Sequence, residues 1–184
     1  AAELAAAFPF ELRVAQGLVS GISSVNKFGR NPDVDIGTED IWSVGGLFVL
    51  PTPGVVSVVS SSASDDGSPA GIGAQTLTII GLNGTTYAEQ TETITLNGVG
   101  AVTTSASFAI IHRMIVATAG SSGTNVGTLS ATIGGTAVGN VVIGKGQTQI
   151  GFYMIPAGKT GYLTRYGGSI DGSSTASVDL ELFA

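Results

Sequence analysis

Four carboxylates crowd "NPDVDIGTED", residues 31–40: Asp33, Asp35, Glu39 and Asp40. Alternating acids of this kind ligate Ca²⁺ when a loop curls round the ion. The calcium-loop pattern D-x-[DN]-x-[DN]-G is not met, because Gly37 stands where the third acid belongs. A solvated turn with Asp33 following Asn31-Pro32 accounts for the same residues. Paired carboxylates also serve glycosidases, but the chain has one Trp and no second acid-bearing apolar strand end to build a sugar cleft.

The other chemical candidates are weaker. His112 is the only histidine. A Ser–His–acid triad needs a nucleophile beside it, and no G-x-S-x-G elbow occurs. Its company, "SFAIIHRMIVATA", suits a hydrogen-bonded histidine of a core strand. One His and no Cys cannot supply the three or four ligands of a zinc site. "PAGKTG" (156–161) suggests a phosphate loop, yet Tyr153 stands where the first glycine of G-x-x-x-x-G-K-[ST] is required. It reads as a turn with an exposed lysine. Asn83-Gly84-Thr85 is formally a glycosylation sequon and equally a hairpin turn. The sequence therefore leads to no catalytic residue, no metal and no cofactor.

Composition sets the class. Across 184 residues, charged residues make up 11% and hydrophobic ones 43%, against a usual charged share of about 25%. An uncharged surface suits a protein packed against copies or partners, and equally a weakly charged β domain with a Ser/Thr surface. A net charge of −6 argues against nucleic acid as a partner. Every hydrophobic run is interrupted by Gly, Ser or Thr, so no membrane span is expected. Ala1–Ala7 lacks the basic start of a signal peptide. The absence of cysteine removes disulfides and thiolate chemistry. From Asn31 to His112 the chain carries eight acids and no Lys or Arg; from Thr93 to Ile170 it carries four bases and no acid. Such segregation could guide head-to-tail contact between copies, but β topologies mix distant segments and so tend to cancel it.

The elements that must position these residues are strands. Residues 1–24 read as an extended N-terminal arm, with a helical turn or two in Ala1–Ala7 and a strand in Glu11–Val19. "LFVLPTPG" reads as a strand stopped by Pro-x-Pro, Val55–Ser60 as a strand, and "SSSASDDGSPAGIG" as an exposed loop. Gln75–Leu82 and Tyr87–Leu96 form a hairpin round Asn83-Gly84, with a second turn at Asn97-Gly98. Ser107–Ala119 is apolar on both alternations and reads as a central strand. Two more strands meet at Gly134-Gly135, residues 147–168 read as a hairpin turning at Pro156–Thr160, and "STASVDLELFA" alternates as a last strand. Eight to ten short strands predict an all-β, antiparallel sandwich or jelly-roll-like domain over 25–184, following the arm.

Residues 25–46 stand out as polar, non-periodic and bearing the only tryptophan. They read as a docking loop, with Phe28 and Trp42 as anchors, Lys27 and Arg30 on one side and Asp33, Asp35, Glu39 and Asp40 on the other, because Trp and Arg are frequent interface hot spots. The alternative is that Trp42 plugs its own domain core.

"VNKFGRNPDVD" followed by "EDIW", "TLTIIGLNGTTYAEQTETITLNG" (76–98) and "IPAGKTGYLT" (155–164) together resemble structural proteins of tailed-bacteriophage virions. The "SVGG" after Trp42 departs from that pattern, where an acid and more glycines would be usual. The resemblance implies a capsid decoration or cement protein on the virion surface. Its partners would be the major capsid protein or other virion subunits, and association as a homo-oligomer, such as a trimer, would be expected. A neck or tail component, or a receptor- or carbohydrate-binding module of a fibre, is the other expectation.

Overall fold

The computed structural model describes residues 8–35, 37–170 and 181. A short helix, α1 (Phe10–Ala15), precedes six strands: β1 (Gly54–Ser60), β2 (Ala74–Asn83), β3 (Glu89–Thr95), β4 (Val102–Ala119), β5 (Leu129–Ile133) and β6 (Thr136–Val141). All neighbours pair antiparallel, in the order β3-β2-β4-β1-β5-β6. The fold is thus all-β and antiparallel, and the described strands make one curled sheet.

β4 causes the curl. It has 18 residues, far longer than a usual strand of about 5–6. Its first half pairs with β1, from Val58↔Val102 to Gly54↔Phe108. Its second half pairs with β2, from Asn83↔Phe108 to Ala74↔Ala119. The two pairings meet at Phe108, on opposite edges of the strand. The halves of the sheet then close over one core, in which Val56 and Val58 meet Leu77, Ile79, Phe108 and Ile133.

Bulges redirect the side chains of β4. Strict alternation puts Phe108, Ile110 and Met114 on one face. Instead Phe108, Ile111 and Met114 share the main core, while Ala109 and Ile110 join Leu82 in a second cluster. The register explains the switch. Leu82 faces Ile110 and Asn83 faces Phe108, so Ala109 is extra; Ile80 faces Arg113 and Gly81 faces Ile111, so His112 is extra. Each extra residue reverses the alternation. Gly81 permits the second bulge, since a Cβ there would lie 2.1 Å from the Ile110 carbonyl oxygen.

Both unpaired stretches of β4 are covered. Glu92 of β3 accepts from the backbone N–H groups of Ser105 and Ala106, at 2.6 and 3.0 Å. On the other edge Thr148 donates its N–H to the Met114 carbonyl at 3.0 Å and accepts the Met114 N–H on its hydroxyl at 3.1 Å. Free edges of this kind otherwise recruit foreign strands.

Several expectations are corrected. Residues 10–15 are helical, so the arm over 1–24 is not extended throughout and Glu11–Val19 is not a strand. Glu, Leu, Arg and Ala are good helix formers, and they outweigh the weak alternation. "LFVLPTPG" is not a strand, because the Phe48 N–H goes to the Asp40 carboxylate at 2.7 Å. The turn at Pro156 forms, with Lys159 N–H on its carbonyl at 3.1 Å, but its flanks do not pair as a hairpin. Asn83-Gly84 is not a two-residue turn. The Gly84 N–H bonds Ser107, and the loop closes from Asn83 to Ala88 at 2.9 Å. The loop after β1 is not simply exposed, since Asp65 is fully buried within it. Ala1–Ala7 and, apart from Glu181, the last predicted strand from 174 on lie outside the described residues.

Candidate functional site

The polar segment 25–46 packs against residues 149–154 and the bulged end of β4. Trp42 organises this contact. Its indole N–H donates to the Gly46 carbonyl at 2.9 Å, and its ring meets Phe48 edge-on at 5.4 Å and Phe152 at 6.0 Å. Backbone bonds run alongside, from Gly151 N–H to the Ile41 carbonyl at 2.7 Å and from Ser43 N–H to Gln149 at 3.2 Å. Phe48 and Phe152 in turn cover the second cluster of Leu82, Ala109 and Ile110. Trp42 is only 3% exposed. Its expected role as an anchor for a partner is therefore corrected: it plugs its own chain and pins two flanking segments to each other.

The other residues of the segment divide by position. Asp33 and Asp35 are exposed. Their N–H groups bond Asn31 Oδ1 at 3.0 Å and Glu39 Oε1 at 3.3 Å. Glu39 also accepts from Asn31 Nδ2 at 2.5 Å, and Asp40 holds the Phe48 N–H. The carboxylates of Glu39 and Asp40 are thus spent on ordering the loop. No group of three or more His, Asp or Glu near enough to hold a metal ion occurs among the described residues. Arg30 is exposed.

Lys27 and Phe28 face β4. Lys27 donates to the carbonyl of His112, the bulged residue. The guanidinium of Arg113 lies over the Phe28 ring, 5.8 Å from its centre, and donates to the Asn26 carbonyl at 3.0 Å. Two cations thus tie residues 26–28 to the sheet. A cleft of about 230 Å³ opens between them, with Tyr153 and Glu89 also on its wall. Burial, and then the charge of Arg113, lower the Lys27 pKa to about 8. Burial, and then the charge of Lys27, lower that of His112 to about 4. Burial raises the Tyr153 pKa, helped by the charge of Glu89 and by a long contact from its hydroxyl to Glu89 at 3.5 Å.

His112 is the hydrogen-bonded strand histidine that its sequence company suggests. It is buried, stacks on Tyr153 at 4.2 Å, and accepts the Met154 N–H on Nε2 at 3.3 Å. That bond uses the lone pair a general base would need. It also makes the contact acid-sensitive. Between pH about 6.5 and about 4 the unfolded chain binds a proton at His112 that the folded chain does not. The stabilisation is complete above that window and lost as pH falls through it. The ceiling is about 3 kcal/mol, and solvent screening should leave roughly 1–2. We expect His112→Gln, whose amide oxygen still accepts from Met154, to flatten the fall in melting temperature between pH 7 and pH 4. An undiminished fall in that variant would assign the acid sensitivity elsewhere.

Sequence reasoning brings Lys27 and Phe28 to this site but misses Glu89, Arg113 and Tyr153. Each lies about 60 or more residues from Lys27 in sequence, with no local pattern to join them. Comparison with family models, curated proteins and solved structures gives no match for the chain.

Proposed function

We propose that the chain is a non-enzymatic structural protein of a tailed-phage virion, a capsid decoration or cement protein that bridges major capsid protein subunits. One observation carries the reading. Eighteen of the twenty-four exposed large apolar side chains lie in residues 8–50 and 155–170, outside the sheet. Leu47, Val49 and Leu50 are each more than half exposed, as are Tyr162, Leu163 and Tyr166. Apolar surface on this scale is normally covered by a partner. Residues 23–35 and 160–170 also make no backbone–backbone hydrogen bonds among the described residues. Apart from the Asp33 and Asp35 N–H groups and the Asn26 carbonyl, which bond side chains, their peptide groups can pair with a neighbour's strand edge. The curled sheet supplies a rigid, sandwich-like body, and the arm is a short helix followed by hydrogen-bonded turns as far as Ile22. The low charge and the virion-like stretches point the same way, and homo-oligomeric association suits them.

Attachment should rest on apolar and backbone contacts. Added to shells that lack it, the protein should co-sediment with them almost equally at low salt and at roughly 0.5 M salt. Release at moderate salt, with the fold intact, would instead make charge pairing the attachment force. Failure to bind at any salt would remove the reading. The exposed rings of Tyr162 and Tyr166 favour one rival, a carbohydrate-binding module of a fibre. Saturable glycan binding without shell binding would select it.

A further inference from the structure

We propose that the cleft between residues 26–28 and the bulge of β4 is a receptor for a carboxylate, held between Lys27 and Arg113. Both cations line the cleft. Each directs a hydrogen bond at a neutral backbone carbonyl, of His112 and of Asn26 respectively. A carbonyl satisfies a donor but compensates no charge. The ammonium has two further N–H donors and the guanidinium four. Their mutual repulsion is visible in the depressed Lys27 pKa, to which Arg113 contributes after burial. An anion between them would relieve both desolvation and repulsion, and a half-buried site screens that attraction less than open water does.

The remaining wall fits a small anion. His112 is held neutral and spends Nε2 on Met154, so it adds no third charge to be compensated. The Tyr153 hydroxyl stands at the cleft and can donate to a bound oxygen in place of its long contact with Glu89. A volume of about 230 Å³ has room for a carboxylate on a short stem. Glu89, exposed at the rim, is the one acid on the wall. It would compete with a bound carboxylate and so weaken binding. A free small carboxylate and an acidic side chain of an assembly neighbour present the same group. The second source rests on the virion reading; the site itself does not.

The test titrates the full chain near neutral pH with sodium acetate, against sodium chloride at equal ionic strength, following the Lys27 and Arg113 side chains by NMR. Acetate alone should give a saturable shift at both residues and raise the Lys27 midpoint above about 8. Arg113→Gln should weaken acetate binding at least about tenfold, and Glu89→Gln should strengthen it, because a competing charge leaves. Tighter binding of N-acetylglutamate amide than of acetate would assign the cleft to a side chain on a neighbour; equal or weaker binding would assign it to free carboxylates. Identical responses to acetate and chloride would overturn the proposal. So would acetate binding that Glu89→Gln, a rim substitution with the fold intact, leaves unchanged or weakens.

Discussion

Asp65→Ala should cost about 4 kcal/mol and lower the melting temperature by roughly 10 °C. The carboxylate is completely buried. Oδ1 accepts the N–H groups of Ala74 and Val126, at 2.7 and 2.9 Å; Oδ2 accepts the Ser60 hydroxyl at 2.6 Å and the Gly127 N–H at 2.8 Å. One side chain thereby joins the end of β1, the start of β2 and the approach to β5. Hydrogen bonds to a charged group contribute about 1.5–3 kcal/mol each, but they share one acceptor and do not add. Truncation strands three backbone donors, and a cavity with room for water would return part of the loss. Asp65→Asn keeps the volume and, with its oxygen towards Ala74 and Val126, sets its NH2 against the Ser60 hydroxyl and the Gly127 N–H; that one donor–donor clash and the lost charge should leave about half the loss. Urea unfolding checks both. A loss under about 1 kcal/mol for Asp65→Ala would mean that water replaces the carboxylate.

Trp42→Ala should cost about 3–5 kcal/mol locally, the range for truncating a buried aromatic, without melting the sheet. Trp42 belongs to the layer formed by Phe48 and Phe152, outside the main core. Its loss loosens residues 41–48 and 149–152, whose rings Phe48 and Phe152 it holds against each other on the sheet. Hydrogen exchange should rise at Gly151 and Ser43, whose N–H groups close that contact, while β2 and β4 stay protected. If the flanking segments are the attachment device, binding to shells falls while the sheet persists. Trp42→Phe should keep part of the packing and lose the indole bond to Gly46. Cooperative loss of sheet protection in Trp42→Ala would show instead that the two layers fold as one.

These two residues mark where sequence reading succeeds and stops. Alternation bounded by glycine turns identifies β1, β2, β3, β5 and β6 within a few residues, because one face of each is wet and the other dry. The bulges of β4 are not readable. Residues 108–111 are apolar at every position, and an inserted residue leaves no mark when both faces are buried. Trp42 is visible as unusual, but exposure decides between a plug and an anchor, and exposure depends on Phe152, 110 residues away. Asp65 sits in "SSSASDDGS", the composition of a solvated turn; its neighbour Asp66 makes the ordinary turn bond, to Ser68 N–H at 2.7 Å. Nothing local distinguishes the two acids. Lys27 is legible as a member of a polar segment, while its pairing with Arg113 depends on how β4 bends.

The central claim is that the segments flanking the sheet are built to be covered by neighbours in a virion. Electron cryomicroscopy of intact particles containing this chain tests it most directly. The expected result is ordered density for the sheet at the shell surface, with residues 8–50 and 155–170 lying against the capsid protein or adjacent copies, and Leu47, Val49, Leu50 and Tyr162 buried there. Particles that lack the chain, or that carry it with these segments facing solvent, would contradict the account.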